Sequence, residues 1–442
     1  MKDLTEGKEG PLILKFALPM LLGNVFQQLY NIVDSIIVGN FIGKEALAAV
    51  GASFPIIFAF LSLIIGIATG STIVISQYFG AKNIEKIKRT IDTLFIFLFF
   101  TSIAISIIAI IFSEDIFIFL KLPEEIIPTA KIYFNIFMAG AVVSFGFNGT
   151  SAVLRGLGDS KTPLYFLIIS TFFNIGFDLL FVIVFKWGIA GVAIASVIAQ
   201  GGAFLTAIIY LNKNHKIIRF SFKNLVFDKD IFKKSIRIGL PTGIQQTFVA
   251  LGMMALIGIV NTFGTNVIAA YAVATRINSL ASLPAMNFAA ALSTFVGQNL
   301  GARKTDRVKS GFIATFKMSS IISLTVTAAV LLFGNFIVGL FTNDSEVIRI
   351  GQEYLMIVGS FYIVFSAMFA ISGVMRGAGD TIIPMFTTLI SLWIIRIPGA
   401  LILSKHFGEK GIWWAIPIGW VIGLLLAYIY YLTGNWKKKV VI

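Results

Sequence analysis

Residues 155–163 read RGLGDSKTP and residues 376–384 read RGAGDTIIP, so five of nine positions are identical at a spacing of 221 residues. Leu18-Pro19 corresponds to Leu240-Pro241 at a spacing of 222. Further identities at or near this spacing are Gln77 with Gln298, Gly80 with Gly301, Gly43 with Gly264, and Gly188 with Gly408. Because 221 is half of the 442-residue length, we predict that the chain contains two copies of one unit.

The composition indicates an integral membrane protein. Hydrophobic residues make up 57% of the chain, charged residues only 13%, and the mean hydropathy is +0.91. Backbone polar groups must be satisfied within a bilayer, so each long apolar stretch is predicted to be a helix of about 20 residues. The predicted spans are 13–38, 47–76, 91–112, 127–153, 163–185, 190–211, 233–260, 267–297, 311–333, 347–374, 384–404 and 412–433. We therefore expect an all-α polytopic protein with twelve transmembrane helices, the first being too long for a signal-peptide core and retained.

The net charge is +14, and the basic residues are concentrated on one predicted side of the membrane. With a cytoplasmic N-terminus, 25 of the 35 basic residues fall in inside segments and six in outside segments. The positive-inside rule therefore predicts cytoplasmic termini, and nucleic acid is not expected as a partner. Six helices per copy make the repeats parallel, so we expect an N-lobe at 1–211, a linker at 212–232 and a C-lobe at 233–442. Two such lobes are expected to enclose a central cavity, which favours transport.

Acidic and amide side chains lie inside the predicted spans of the first copy. In the first span, polar residues recur at three- and four-residue steps on one helical face, and they include Asn31 and Asp34. Asn174 and Asp178 share a face of the fifth span, and Ser196 lies in the sixth. Intramembrane acids are functional by default, and this oxygen-rich set suits Na⁺ or a carboxyl group that exchanges a proton. The alternative is that each acid only bonds a neighbouring helix.

The second copy lacks these acids. The positions corresponding to Asn174 and Asp178 are Ile395 and Gly399. Gln245 and Gln246 in the seventh span either contact substrate or bridge helices. Glu353 either holds a second ion or pairs with a basic side chain. Other charges within spans of this copy are Arg276, Lys317 and Arg396.

The duplicated Arg-Gly-x-Gly-Asp turn superficially resembles a phosphate-binding loop. No Lys-Ser/Thr pair follows it, and it separates two predicted membrane spans. We interpret it as structural, with Asp159 and Asp380 available to cap the following helix. Pro19, Pro55, Pro241 and Pro284 fall inside spans and are expected to kink them, and Pro19 is the predicted hinge.

Taken together, the Leu-Pro helix starts, the Gln-x-x-Gly-Ala helix ends, the Arg-Gly-x-Gly-Asp turns and the Gly-x-x-Gly starts of the sixth and twelfth helices resemble the multidrug and toxic compound extrusion (MATE) family. The resemblance covers nearly the whole chain. It implies a two-lobe antiporter that exports organic cations and amphipathic compounds in exchange for H⁺ or Na⁺. Within the family the chain looks closer to the DinF-like branch, which carries an acid on helix one, Asn-x-x-x-Asp on helix five and a hydroxyl on helix six.

On that resemblance, Asp34, Asn174, Asp178 and Ser196 form the coupling site, with Na⁺ possible at the first three. Pro19 would bend helix one as occupancy of the site changes. The predicted substrate-cavity residues are Gln27, Asn31, Tyr133, Gln245, Gln246 and Met253.

Other functions are weighed against this one. A flippase for a lipid-linked saccharide of the same superfamily is the alternative, although few basic residues lie within the spans. An enzyme is not expected, since the spans contain neither Cys nor His. No cofactor beyond the coupling ion is expected, and the protein is predicted to be a monomer in the plasma membrane, or inner membrane, that binds small organic cations.

Overall fold

A computed structural model describes residues 2–120, 122–214 and 225–442. Residues 215–224 of the predicted linker lie outside the described residues. The helices of the first copy are Glu9–Ile37 (α1), Lys44–Gly80 (α2), Ile84–Ile111 (α3), Ser113–Phe119 (α4), Ile127–Ala139 (α5), Ala141–Gly156 (α6), Lys161–Leu179 (α7) and Gly188–Asn214 (α8). Those of the second copy are Lys229–Val260 (α9), Thr265–Gly301 (α10), Thr305–Gly339 (α11), Ser345–Gly359 (α12), Tyr362–Ala378 (α13), Ile382–Leu389 (α14), Ile397–Phe407 (α15) and Glu409–Thr433 (α16).

The predicted all-α membrane architecture is confirmed. Within the described ranges, ten helical segments are long and apolar enough to cross a membrane, and the number reaches twelve when each of two bent helix pairs is counted as one span. Each of the twelve overlaps one of the spans predicted from hydropathy. Alternation of apolar stretches with charged or Gly/Pro-marked breaks therefore predicted the number and order of the spans.

The two bent pairs are the fourth span of each copy. α5 and α6 meet at 51°, and α12 and α13 meet at 47°. Near each break a hydroxyl on the preceding long helix bonds a carbonyl: Ser106 donates to Met138 O, and Thr327 donates to Gly359 O, both over 2.6 Å. These two pairs are themselves related by 221 residues. A break inside a membrane is tolerated only where such groups satisfy the backbone, so the break and its support were duplicated together.

Left-handed backbone conformations recur at the repeat spacing. Gly158 (φ +82°) corresponds to Gly379 (φ +92°), each within the duplicated turn. Even the non-glycine pair Lys82 and Arg303 shares this conformation, with φ of 57° and 60°. Non-glycine residues rarely adopt the left-handed backbone conformation. Its recurrence at equivalent positions therefore indicates that the duplicated turns have the same backbone geometry.

The contacts of the described residues divide the chain into two compact units that do not coincide with the two halves of the sequence. A segment of the first half belongs to unit 2, and the start of the second half belongs to unit 1. Unit 1 comprises Met1–Lys2 and Leu22–Gly243, and unit 2 comprises Asp3–Leu21 and Ile244–Ile442. α1 therefore passes from unit 2 to unit 1 two residues after Pro19. α9 passes from unit 1 to unit 2 two residues after Pro241.

Unit 1 contains a close crossing of α2 with the first part of α9. Each helix presents two glycines four residues apart, Gly66 and Gly70 on α2 and Gly239 and Gly243 on α9. A Cβ at Gly66 would lie 2.4 Å from the Gly243 nitrogen, and one at Gly70 would lie 2.4 Å from the Ser235 carbonyl oxygen. Small residues at this spacing let membrane helices approach until their backbones touch. The crossing holds residues 229–243 of α9 within unit 1.

In unit 2 the chain before α1 is held against α10 and α11. The Leu4 amide donates to Gln298 Oε1 over 2.9 Å, and Asn299 donates to the Leu4 carbonyl over 3.1 Å. Arg307 pairs with Glu9, the first residue of α1, at 3.0 Å. Gln298 belongs to the duplicated Gln-x-x-Gly-Ala ending, so in this copy the motif anchors the segment that precedes a helix.

Candidate functional site

The two predicted acids of the first copy lie together within unit 1. Asp34 on α1 is 8% exposed, and Asp178 at the end of α7 is 0% exposed. Their side chains are within hydrogen-bonding reach of each other. One oxygen of each carboxyl group, Oδ1 in both cases, is buried without a hydrogen-bond partner among the described residues. Two carboxyl groups from different helices therefore form one buried centre.

Asn174 and Ser196 complete the predicted set around Asp178. Turned so that each amide atom meets a complementary partner, the Asn174 side chain donates to Asp178 Oδ2 over 3.0 Å and accepts from the Ser196 backbone N–H over 3.2 Å. Asn174 precedes Asp178 by one helical turn, so α7 itself positions the amide beside the carboxyl group. The structure thus brings together all four residues predicted for the coupling site.

Two tyrosines also belong to this centre. Tyr30 Oη lies 2.9 Å from Ser196 Oγ, which ties α1 to α8. Tyr30 and Tyr133 both lie within electrostatic range of Asp34 and Asp178. The sequence analysis proposed Tyr133 but missed Tyr30. Its signal was present, because Tyr30 precedes Asp34 by four residues and must share its helical face.

Both helices that carry an acid continue as π-helix just beyond it. These segments are Val38–Ile42 after α1 and Leu180–Val184 after α7. In the described residues there is one other π segment, Ile390–Arg396, which ends on a charged residue of unit 2. Single-turn π segments often mark functional sites, since they redirect side chains without ending the helix. Here each adjoins an intramembrane charge.

The predicted substrate-cavity residues differ in their surroundings. In unit 1, Gln27 and Asn31 are half-buried on α1, while Tyr133 is buried beside the acids. In the part of α9 that belongs to unit 2, Gln246 is half-buried and Met253 is 47% exposed. Their role as substrate contacts stays a prediction.

Gln245 bridges helices within unit 2. Its Oε1 accepts from Arg376 over 2.9 Å, and its Nε2 donates to Thr388 Oγ1 over 2.6 Å and to the Pro384 carbonyl over 3.3 Å. These contacts match the helix-bridging alternative of the sequence analysis.

Glu353 is paired with basic side chains. Arg349 lies 2.8 Å and Lys410 lies 3.2 Å from its Oε1. Of the two interpretations of Glu353, this geometry matches the pairing with basic residues. In the described parts of the chain, no three His, Cys, Asp or Glu side chains cluster as a metal site.

The two aspartates of the duplicated turn have different partners. Asp159 accepts from the backbone N–H groups of Lys161 and Thr162 over 3.1 and 3.0 Å, so it caps α7. Asp380 instead accepts from Tyr430 Oη over 2.5 Å. Both contacts fix helices of the scaffold.

Comparison with known proteins identifies the family. The profile of the MatE family matches twice, over residues 19–180 and 241–402, and each match begins at the proline of a Leu-Pro pair. The chain is 33% identical to the "Probable multidrug resistance protein YpnP" of Bacillus subtilis, over 98% of this chain and 97% of that protein. It is 34% identical to "Probable multidrug resistance protein YoeA" of the same organism, over 99% and 97%.

A similar fold is known from solved structures. The structure described as the outward-facing conformation of a multidrug resistance MATE family transporter of the MOP superfamily superposes with a TM-score of 0.92 at 24% identity, covering 99% of both chains. A MOP superfamily transporter from Pyrococcus furiosus superposes with a TM-score of 0.90 at 23% identity, covering 98% of this chain and 97% of that one. With the family profile matched in both halves, this chain belongs to the MatE family of membrane transporters and is not an enzyme.

Proposed function

We propose that this protein is a multidrug exporter driven by the exchange of H⁺ or Na⁺ at Asp34 and Asp178. The contact between these two buried carboxyl groups carries the proposal. Two adjacent carboxylates in a low-dielectric environment cannot both ionise unless a cation lies between them, and otherwise they share a proton. The charge of the centre therefore follows the supply of protons or Na⁺.

Oxygen donors around the acids suit either cation. The Ser196 hydroxyl and the Asn174 amide are neutral groups, and an alkali or alkaline-earth cation is bound by such oxygens together with carboxylates. A shared proton needs only the two carboxyl groups. Both versions use the same side chains, so the choice between H⁺ and Na⁺ is a matter for experiment.

Coupling to transport is proposed to run through α1. This helix carries Asp34 and Tyr30 in unit 1, while its first part belongs to unit 2. The passage lies two residues after Pro19, where an interior proline removes a backbone hydrogen bond. Ion binding shifts a conformational equilibrium only if the ion binds one state more tightly than the other. Pro19 is the proposed hinge at which α1 differs between those states.

The proposed substrates are organic cations and amphipathic drugs. Support comes from the names of the relatives and from Gln27, Asn31, Gln246 and Met253, which offer polar and polarisable contacts. The acid on the first span (α1) favours the DinF-like branch, and so do Asn174 and Asp178 on the fifth span (α7). We further propose a monomer in the plasma membrane with cytoplasmic termini, on the basis of the positive-inside distribution.

The test is transport in proteoliposomes with the pH and Na⁺ gradients imposed separately. Efflux of ethidium, a fluorescent organic cation, is expected under at least one gradient and should be lost in Asp34→Asn and Asp178→Asn. Glu353→Gln is the matched control, because Glu353 is an acid of unit 2 with basic partners, and it should retain transport. If Asp34→Asn kept gradient-driven efflux, the proposed coupling site would be wrong.

A further inference from the structure

Unit 2 contains a basic side chain near the middle of a membrane span. Arg396 ends the π segment between α14 and α15, about halfway along the span Ile382–Phe407. Its Nε is buried and has no hydrogen-bond partner, and the ion pairs and cation–π contacts found among the described residues do not include Arg396. An arginine inside a membrane ordinarily pairs with an acid or backbone carbonyl, because an uncompensated charge there is unfavourable.

The described groups around Arg396 can each donate a hydrogen bond. Tyr271 and Tyr354 lie within its electrostatic range. Both rings contact Trp413, whose centroid lies 5.6 Å from that of Tyr271 and 5.0 Å from that of Tyr354. Trp413 is 0% exposed and its Nε1 has no partner, and the Tyr362 hydroxyl near Tyr354 is likewise buried and unpartnered. An indole N–H can only donate, and a guanidinium can only donate.

The acid nearest in sequence to this cluster is already neutralised. Glu353 adjoins Tyr354 but pairs through Oε1 with Arg349 and Lys410, while its Oε2 is buried without a partner. Two cations already balance its single negative charge. The cluster of Arg396, Tyr271, Tyr354, Tyr362 and Trp413 therefore has a positive charge and several donors. The tyrosine hydroxyls can also accept hydrogen bonds, but they carry no negative charge that balances Arg396 among the described residues. A small anion would supply that negative charge.

The internal repeat supports the same interpretation. Tyr354 corresponds to Tyr133 at the 221-residue spacing. Tyr133 lies within electrostatic range of the acids Asp34 and Asp178, whereas Tyr354 lies within that range of Arg396. The tyrosine is present in both copies, and the charges within its electrostatic range have opposite signs, although they do not lie at equivalent positions of the repeat. A π segment adjoins the charge in each case.

From these contacts we propose that unit 2 binds a monovalent anion at Arg396, with Trp413 Nε1 and the hydroxyls of Tyr271 and Tyr354 as further donors. The ligand chemistry is that of chloride from solution or of a carboxylate group on a transported compound. This site is independent of the proposed coupling at Asp34. An anion bound here would neutralise the charge that the protein itself leaves unbalanced.

The experiment is an anion titration of the purified full-length protein in detergent, read by thermal unfolding. Chloride or acetate replaces the bulky sulfonate buffer anion MES at constant Na⁺ concentration. A ligand that binds only the folded state raises the unfolding temperature in a saturable manner. A rise with chloride alone identifies a halide site, and a rise with acetate identifies a carboxylate site.

Variants locate the effect. Arg396→Gln should weaken the midpoint of the anion effect at least about tenfold, which corresponds to about 1.4 kcal/mol. Arg276→Gln is the matched control, since Arg276 is an exposed basic residue of the α10 span, and it should titrate like the wild type. If the glutamine variant does not fold, Arg396→Lys is used in its place, because it keeps the positive charge. This variant should still bind the anion more weakly, because it lacks the planar guanidinium group with its several N–H donors.

Crystals grown with bromide give a second measurement, because an anomalous peak is expected beside Arg396 Nε. Absence of any saturable rise in the wild type, or an equal rise in the Arg396 variants, would overturn the proposal. If chloride raises the unfolding temperature, a bromide peak elsewhere with none at Arg396 would also overturn it.

Discussion

Replacement of Gly239 by alanine should weaken the crossing of α9 with α2. The added Cβ would lie 2.6 Å from Ile67 Cα and 2.7 Å from the Gly66 carbonyl oxygen, whereas ordinary contacts of this kind are 3.4–4 Å. Both opposing atoms belong to the backbone, so the helices must separate by roughly 1 Å at this point. Overpacking of this size costs about 1–3 kcal/mol. The gain from replacing glycine by alanine inside a helix, about 0.5–1 kcal/mol, offsets part of that cost.

Gly258→Ala on the same helix is the matched control. A Cβ there would meet nothing within 4 Å, so only the favourable helix-propensity effect remains. The difference between the two variants therefore isolates the cost of the crossing, about 1–3 kcal/mol. The measurement is the midpoint of thermal unfolding in detergent at one fixed heating rate, since membrane proteins commonly unfold irreversibly. If Gly239→Ala were as stable as Gly258→Ala, the argument from backbone contact would be refuted.

Two further predictions concern helix anchoring. Asp228 caps α9, and the hydrogen bond from the Ile231 N–H is the main cause that lowers the pKa of its carboxyl group. The cap therefore stabilises the folded protein fully above the pKa of the unfolded chain, which is about 4. This stabilisation is lost as the pH falls through the lower pKa of the folded state. Asp228→Ala should thus cost about 0.5–2 kcal/mol at neutral pH, with the deficit in unfolding midpoint shrinking below about pH 4, and a pH-independent deficit would contradict this. Gln245→Leu should lower the free energy of unfolding by about 1–3 kcal/mol, because it leaves buried donors of Arg376 unpaired. Gln246→Leu is the control and should lower it less. Equal unfolding midpoints of the two variants would argue against the bridging role of Gln245.

The sequence predicted those features that are set locally. Apolar length predicts a span, and helical periodicity places Asp34 on a polar face and Asn174 beside Asp178. The duplicated motifs predicted turns, which the structure places at Gly158 and Gly379. None of these inferences required knowledge of which helices are neighbours.

Features that depend on contacts between helices were missed. The bends at Gly140 and Ser360 were not predicted, and near each of them a hydroxyl on another helix donates to a backbone carbonyl. Likewise, residues 3–21 belong to unit 2 and residues 225–243 belong to unit 1. The glycine crossing of α2 and α9 is one of the contacts that place residues 225–243 in unit 1. Glycines four residues apart were visible in both helices, but their spacing alone does not name the partner helix.

The internal repeat separates what the scaffold requires from what the chemistry requires. Bends, left-handed turns and the hydroxyl supports recur at equivalent positions, since both copies must solve the same problem of satisfying backbone groups in a membrane. The acids of the first copy and Arg396 do not recur: Asp178 corresponds to Gly399, and Arg396 corresponds to Ile175. The first copy places two acids within electrostatic range of Tyr133, and the second places Arg396 within that range of Tyr354. A charge within a membrane span is unfavourable, so neither set would persist merely as a remnant of duplication. The two copies therefore carry charges of opposite sign at positions that do not correspond in the repeat, and these charges are the strongest indication of where each unit binds an ion.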